Sequence, residues 1–181
     1  MNRQAEKLAV LSVEVKEKFG GLSSEQLNWK PNADSWSVGQ CLDHLVVTNK
    51  QEIPAIKGGL AGEHNQSIWE RLPLLSAVTG KFIVKAVDPE NTRKNKAPKT
   101  FQPSQSDIGT DIVDEYLKTS EKVQELIKES EGVPTRRMVI TSPIARVATY
   151  SIHDALKIVV LHDHRHFNQA LRVMESEGFP K

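Results

Sequence analysis

Leu161-His162-Asp163-His164-Arg165-His166-Phe167-Asn168-Gln169 lies in a segment whose small, apolar and histidine residues recur at helical spacing. Ala155, Val159, His162, His166, Ala170 and Val173 fall on one face of a helix that Ser151 or Thr149 starts and that runs to about residue 177. The two histidines therefore occupy positions where core residues are expected. A helix that buries one stripe needs other helices to bury it against, and the chain supplies three more candidates. Residues 2–19 carry Leu8, Leu11, Val15 and Phe19 and stop at Gly20-Gly21. Residues 37–58, capped by Ser35 or Ser37, carry Val38, Leu42, Leu45, Asn49, Ile53 and Ile56, with Pro54 as a candidate bend. Residues 105–130, capped by Ser104 or Ser106, carry Ile108, Ile112, Tyr116, Val123 and Ile127 and stop at Gly132-Val133-Pro134. Ser23-Ser24-Glu25-Gln26-Leu27 reads as a capped short helical turn. Residues 135–149 read as irregular or briefly extended, and no convincing strand pattern appears. The expected fold is all-α, a bundle of four long helices.

Loop length adds a topology. Antiparallel bundle neighbours are joined by roughly 2–8 residues, whereas residues 58–103 separate the second long helix from the third. Such a crossover returns the chain along the bundle, so those two helices should run parallel, in the order up-down-down-up. An apolar piece at about 67–87 gives the crossover an extra helix. The rest, with the basic run Arg93-Lys94-Asn95-Lys96 and Lys99 among Pro, Asn and Thr, reads as a solvated loop.

The 181 residues suit a single domain over 1–181. Net charge is +1, which gives no electrostatic reason to expect a nucleic-acid or membrane partner. No stretch reaches membrane-spanning length, and the charged N-terminus has no apolar signal core after it. One cysteine, Cys41, excludes an internal disulfide and suits a reducing compartment. The expected location is the cytoplasm. No Gly-rich phosphate loop, Cys-x-x-Cys pair or Ser nucleophile elbow is present, so no organic cofactor site is expected.

Chemistry concentrates in the histidines. Residues i and i+4 of a helix have Cβ atoms about 6 Å apart, so His162 and His166 can converge on one ion. A third histidine from another helix would complete a three-His site with an open coordination position, the arrangement of catalytic rather than structural metals. His44, in Trp36-Ser37-Val38-Gly39-Gln40-Cys41-Leu42-Asp43-His44-Leu45, lies only at the flank of its helix stripe, so periodicity does not select it. The plain alternative is two imidazoles hydrogen-bonded at a helix seam. His164 is a substitute ligand that points elsewhere, His153 lies on another face, and His64 sits in a Gly-rich loop. Cys41, one turn before His44, reads as a buried small hydrophobe, with ligand or nucleophile as the sharper alternative. Asp43 and Asp163 adjoin candidate ligands but face away from them and read as surface charges. Trp36 reads as a core anchor at the helix entrance, and Gln169 can hydrogen-bond near the site.

Gly21-Leu22-Ser23-Ser24-Glu25-Gln26-Leu27-Asn28-Trp29-Lys30-Pro31, then Trp36-Ser37-Val38-Gly39-Gln40 running to His44, and finally His162-x-x-x-His166-x-x-Gln169, resemble the DinB-like superfamily. The resemblance implies an up-down-down-up four-helix bundle. It also implies a divalent metal, zinc or nickel foremost, on His44, His162 and His166. It says little about residues 58–103 and assigns no catalytic residue. Members include thiol-dependent S-transferases, a thiol-dependent isomerase and metal-dependent hydrolases. The leading expectation is thus a metal-dependent enzyme that transfers a low-molecular-weight thiol to an electrophile. A hydrolase with metal-activated water comes second, and a non-enzymatic metal-binding stress protein third. The expected partners are a small-molecule substrate and a second copy of the chain in a homodimer.

Overall fold

A computed structural model describes residues 3–63, 67–91, 102–103, 107–143 and 147–181. Its elements in chain order are α1 (Arg3–Phe19), α2 (Ser24–Asn28), α3 (Val38–Ala61), α4 (Pro73–Ala86), α5 (Ile112–Glu129), β1 (Val139–Thr141), β2 (Thr149–Ser151) and α6 (Ile152–Met174). The protein is all-α in class, with one two-stranded antiparallel ribbon that pairs Ile140 with Tyr150.

Local chemistry sets the helix ends. The Ser23 hydroxyl accepts from the Gln26 N–H, while the Gln26 side chain accepts from the Ser23 N–H. Ser37 and Gln40 repeat this reciprocal cap at the start of α3. Each pair satisfies two helix N–H groups that have no partner inside the helix. At the far end of α3, Gly62 takes the left-handed conformation, with φ 69°, and its N–H closes the last turn onto Gly58 and Gly59. That conformation favours glycine. Ser151 caps α6 through the Asp154 N–H.

Side-chain pairs fix the relative directions of the long helices. Gly39 lies against Ile108, and Lys50 pairs with Glu115 at 3.0 Å, so α3 and α5 advance together. His44 meets His162, while Tyr150, just before α6, reaches Glu52, so α3 and α6 run opposite. Arg3 and Lys7 share a cleft with His153 and Leu156, and Phe19 packs on Phe167, so α1 and α6 advance together. The core lies between these helices and is filled by residues such as Leu8, Leu11, Leu42, Leu45, Tyr116, Ile127 and Val159. The stripes of α1 and α3 are buried as expected, except that Ile53 is only partly so.

Three sequence expectations need correction. The third long helix begins at Ile112, not near 105. The segment before it is held in a non-helical form, because the Asn28 side chain both accepts from the Ile108 N–H and donates to its carbonyl, at 2.7 and 2.9 Å. The Ile108 side chain then fills the space over Gly39, where a Cβ would lie 2.9 Å from it and 3.0 Å from the Leu27 carbonyl. Ser104 and Ser106 lie outside the described residues, and the residue before α5, Asp111, makes no side-chain cap. Second, the extended alternative for 135–149 is the right one, and it includes a strand pairing that the sequence pattern does not show. Val139–Thr141 pairs with Thr149–Ser151, and these strands are too short to show a period-two pattern. Third, the long helices end a few residues from the expected places, α3 at Ala61 and α6 at Met174. The crossover does carry an extra helix, α4. The basic run at 93–99 lies outside the described residues.

Beside the core, Tyr150 donates to both carboxylate oxygens of Glu52 at 3.0 and 3.1 Å. Burial raises the Glu52 pKa from 4.5 to about 7, and the tyrosine hydrogen bond opposes part of that rise. A raised carboxyl pKa means that folding takes up a proton between these two values. Glu52 therefore favours the folded state fully below about pH 4.5, and this contribution is lost as the pH rises through about 7. The linkage is worth about 3 kcal/mol. Urea unfolding at pH 5 and pH 8 should show wild type losing about that much more stability than Glu52→Gln; parallel pH profiles would refute the assignment.

Candidate metal centre

His44 comes from the second turn of α3, and His162 and His166 come from successive turns of α6. The three rings form a closed triangle. Their centroids lie 4.9 Å apart for His44–His162, 4.5 Å for His44–His166 and 4.6 Å for His162–His166. The Nε2 atoms of His44 and His162 approach to 3.2 Å. One nitrogen from each ring falls within 4.8 Å of the other two, a spacing that could hold a metal ion. No carboxylate or thiol of the described residues joins the group. His44 and His166 are buried and His162 half-buried.

The donor set fits a divalent ion. Burial, reinforced by the neighbouring histidines and by Arg165, holds the pKa of His162 and of His166 well below the ordinary imidazole value. Both rings are neutral at physiological pH, the protonation state a metal ligand needs. Nδ1 of His166 is buried with no hydrogen-bond partner among the described residues. A buried imidazole nitrogen left in that state costs about 1–3 kcal/mol, so the ring is poorly accounted for as a merely structural, hydrogen-bonded group.

Trp36 walls the triangle. Its ring stacks on His166 at 5.6 Å and 25°, and lies 4.9 Å from His44 in a tilted contact. Read from sequence as a core anchor, it does pack on the core, and it also screens two of the three imidazoles. Gln169 opposes part of the His166 pKa depression.

Cys41 lies outside the triangle. It is fully buried, and burial pushes its thiol up to about 12, so it is a protonated core group and not a ready nucleophile. His164 is not part of the group, and its Nε2 is buried without a partner among the described residues. His153 lies at the start of α6, and His64 is outside the described residues.

The reading of Asp43 and Asp163 as surface charges is wrong, since both are buried. Asp163 is fully enclosed. It accepts from the Tyr116 hydroxyl at 3.0 Å and from Asn49 Nδ2 at 3.3 Å, tying α6 to α5 and α3 at the level of His162. Burial raises its pKa to about 7 against these hydrogen bonds. Its partners come from two other helices, so no local spacing announces them. An open cleft of about 720 Å³ near Arg3, Lys7, Glu131 and Lys157 is lined by none of the three histidines, and so it is not the approach to the triangle.

The chain is 26% identical over 156 residues to "Uncharacterized protein YuaE" of Bacillus subtilis (strain 168), covering 86% of this chain and 87% of that one. No solved structure matches it. No described helix is long and apolar enough to cross a membrane. The DinB superfamily profile matches residues 14–170 and takes in all three histidines, and the chain belongs to the DinB superfamily.

Proposed function

We propose that the protein is a divalent-metal-dependent enzyme, with zinc or nickel on His44, His162 and His166, that transfers a low-molecular-weight thiol to an electrophilic small molecule. The observation that carries this reading is the triangle itself: three imidazoles whose nitrogens come within 4.8 Å of one another, with no carboxylate among them. Three neutral ligands leave a divalent ion its full charge and an open position. Bound there, the ion would lower the pKa of a coordinated thiol, so that a nucleophile exists at neutral pH.

The protein's own groups divide the remaining work. His162 and His166 are held at fixed separation by one helix, and His44 is brought in by α3. The Asp163 contacts to Asn49 and Tyr116 lock the two helices in register at the level of the site. The Trp36 ring covers one side of the triangle and excludes water there. A hydrolase would be served by a carboxylate base beside the ligands. The nearest carboxylate in sequence to His162, that of Asp163, is committed to Tyr116 and Asn49. That commitment favours thiol transfer over water activation.

The test sets a panel of small cellular thiols with a generic electrophile beside a panel of esters and amides, on metal-loaded protein. Conjugation should depend on the metal, disappear in His44→Ala and on chelation, and return when metal is added back. Hydrolysis without conjugation would transfer the assignment to a hydrolase, and silence in both panels with metal bound would leave a binding protein.

A further inference from the structure

We propose that the outer face of α4 is the surface through which two copies of this chain pair about a twofold axis. The helix is apolar on its outer face as well as its inner one. The face it turns to its own protein packs Ile83 and Val84 on the core and carries Ser76, Thr79 and Gly80 beside them: Ser76 is buried, the Thr79 hydroxyl donates to the Thr149 carbonyl, and Gly80 sits over Tyr150 and Asp154. The face it turns outward carries Leu74, Val78 and Phe82, spaced by four and exposed by 77, 57 and 71%. A surface helix ordinarily turns polar residues outward and keeps its large apolar residues for the inner face. The exposed stripe continues into the preceding turn through Ile68, Trp69 and Leu72, all exposed.

Area and symmetry select the occupant. At their observed exposures these six side chains present about 700 Å², close to the roughly 800 Å² that each partner contributes to a standard interface and above the few hundred Å² ordinary for an apolar patch on a monomer. A twofold contact needs a self-complementary surface. A stripe centred on Val78 meets that need, because two antiparallel copies of α4 set Leu74 of each against Phe82 of the other. Lys81 and Lys85, the only charged residues of the helix, are exposed, Lys81 beside the stripe and Lys85 past its C-terminal end, where a solvated rim belongs. A net charge of +1 gives little attraction to an anionic lipid surface, the other occupant an apolar stripe edged with lysine would suit.

Sedimentation of the full chain between about 1 and 100 μM should give twice the 20.2 kDa chain mass at the upper end. Val78→Glu and Phe82→Glu, both surface changes, should weaken self-association at least tenfold with unchanged far-UV circular dichroism. Val13→Glu, at a position on α1 that is also 57% exposed, should leave the dimer intact. Three results would overturn the proposal: a wild-type chain that stays monomeric at 100 μM, a dimer insensitive to both α4 changes, or equal disruption by Val13→Glu. Flotation of a monomeric wild-type chain with phosphatidylglycerol vesicles would overturn it as well and reassign the face to lipid. None of these readouts depends on the metal or on activity.

Discussion

His162→Ala and His166→Ala should each weaken binding of a divalent ion by more than about 100-fold, or about 3 kcal/mol of binding free energy. Each removes one corner of a triangle whose rings are 4.5 to 4.9 Å apart, and no described carboxylate or thiol stands ready to replace it. His44→Ala should do the same, because the third ligand closes the site from a separate helix. The fall is read by isothermal titration with zinc and again by thermal unfolding, since an ion bound only to the folded state raises stability in proportion to the logarithm of its concentration over Kd. His164→Ala is the control and should bind normally, because His164 stands outside the triangle. Unchanged affinity in both His162→Ala and His166→Ala would remove the assignment.

Asp163→Ala should cost about 2–5 kcal/mol of folding stability. It leaves the Tyr116 hydroxyl and the Asn49 amide without their acceptor inside the core, where water does not reach to replace it. The same change opens a gap where α3, α5 and α6 meet. Asp163→Asn keeps the shape and one acceptor and should cost much less, while Tyr116→Phe removes a single donor and should cost about 1 kcal/mol. Guanidinium unfolding of the three variants measures the ranking. An Asp163→Ala chain within about 0.5 kcal/mol of wild type, the range of an ordinary surface change, would contradict the role given to the carboxylate.

What the sequence discloses is what local spacing controls. The stripe Leu8, Leu11, Val15, Phe19, the capped turn at Ser23–Leu27 and a serine cap at 35 or 37 depend on residues a few positions apart, and the structure has all three, with Ser37 as the second cap. The pairing of His162 with His166 is local in the same sense. His44 is different. Periodicity leaves it at the flank of its stripe, and only resemblance to a family singles it out, because α3 is packed by α2, α5, α6 and β1 and is buried on nearly every side. The same enclosure hides Asp163. A carboxylate next to a histidine looks like surface charge until Tyr116 and Asn49 arrive from helices 47 and 114 residues away in sequence. The late start of α5 has a non-local cause too, since Asn28 holds the Ile108 backbone from 80 residues away. Trp36 as a wall of the site and the exposed apolar face of α4 belong to the same class: each is decided by what packs opposite.

The ligand set itself is open to one direct measurement, X-ray absorption at the metal edge of zinc-loaded protein. Three imidazole nitrogens at about 2.0–2.1 Å, with the multiple scattering of histidine rings and no sulfur shell from the protein alone, are predicted. A sulfur scatterer at about 2.3 Å would place the Cys41 thiol on the ion, and fewer than two imidazoles would dissolve the triangle as a metal centre.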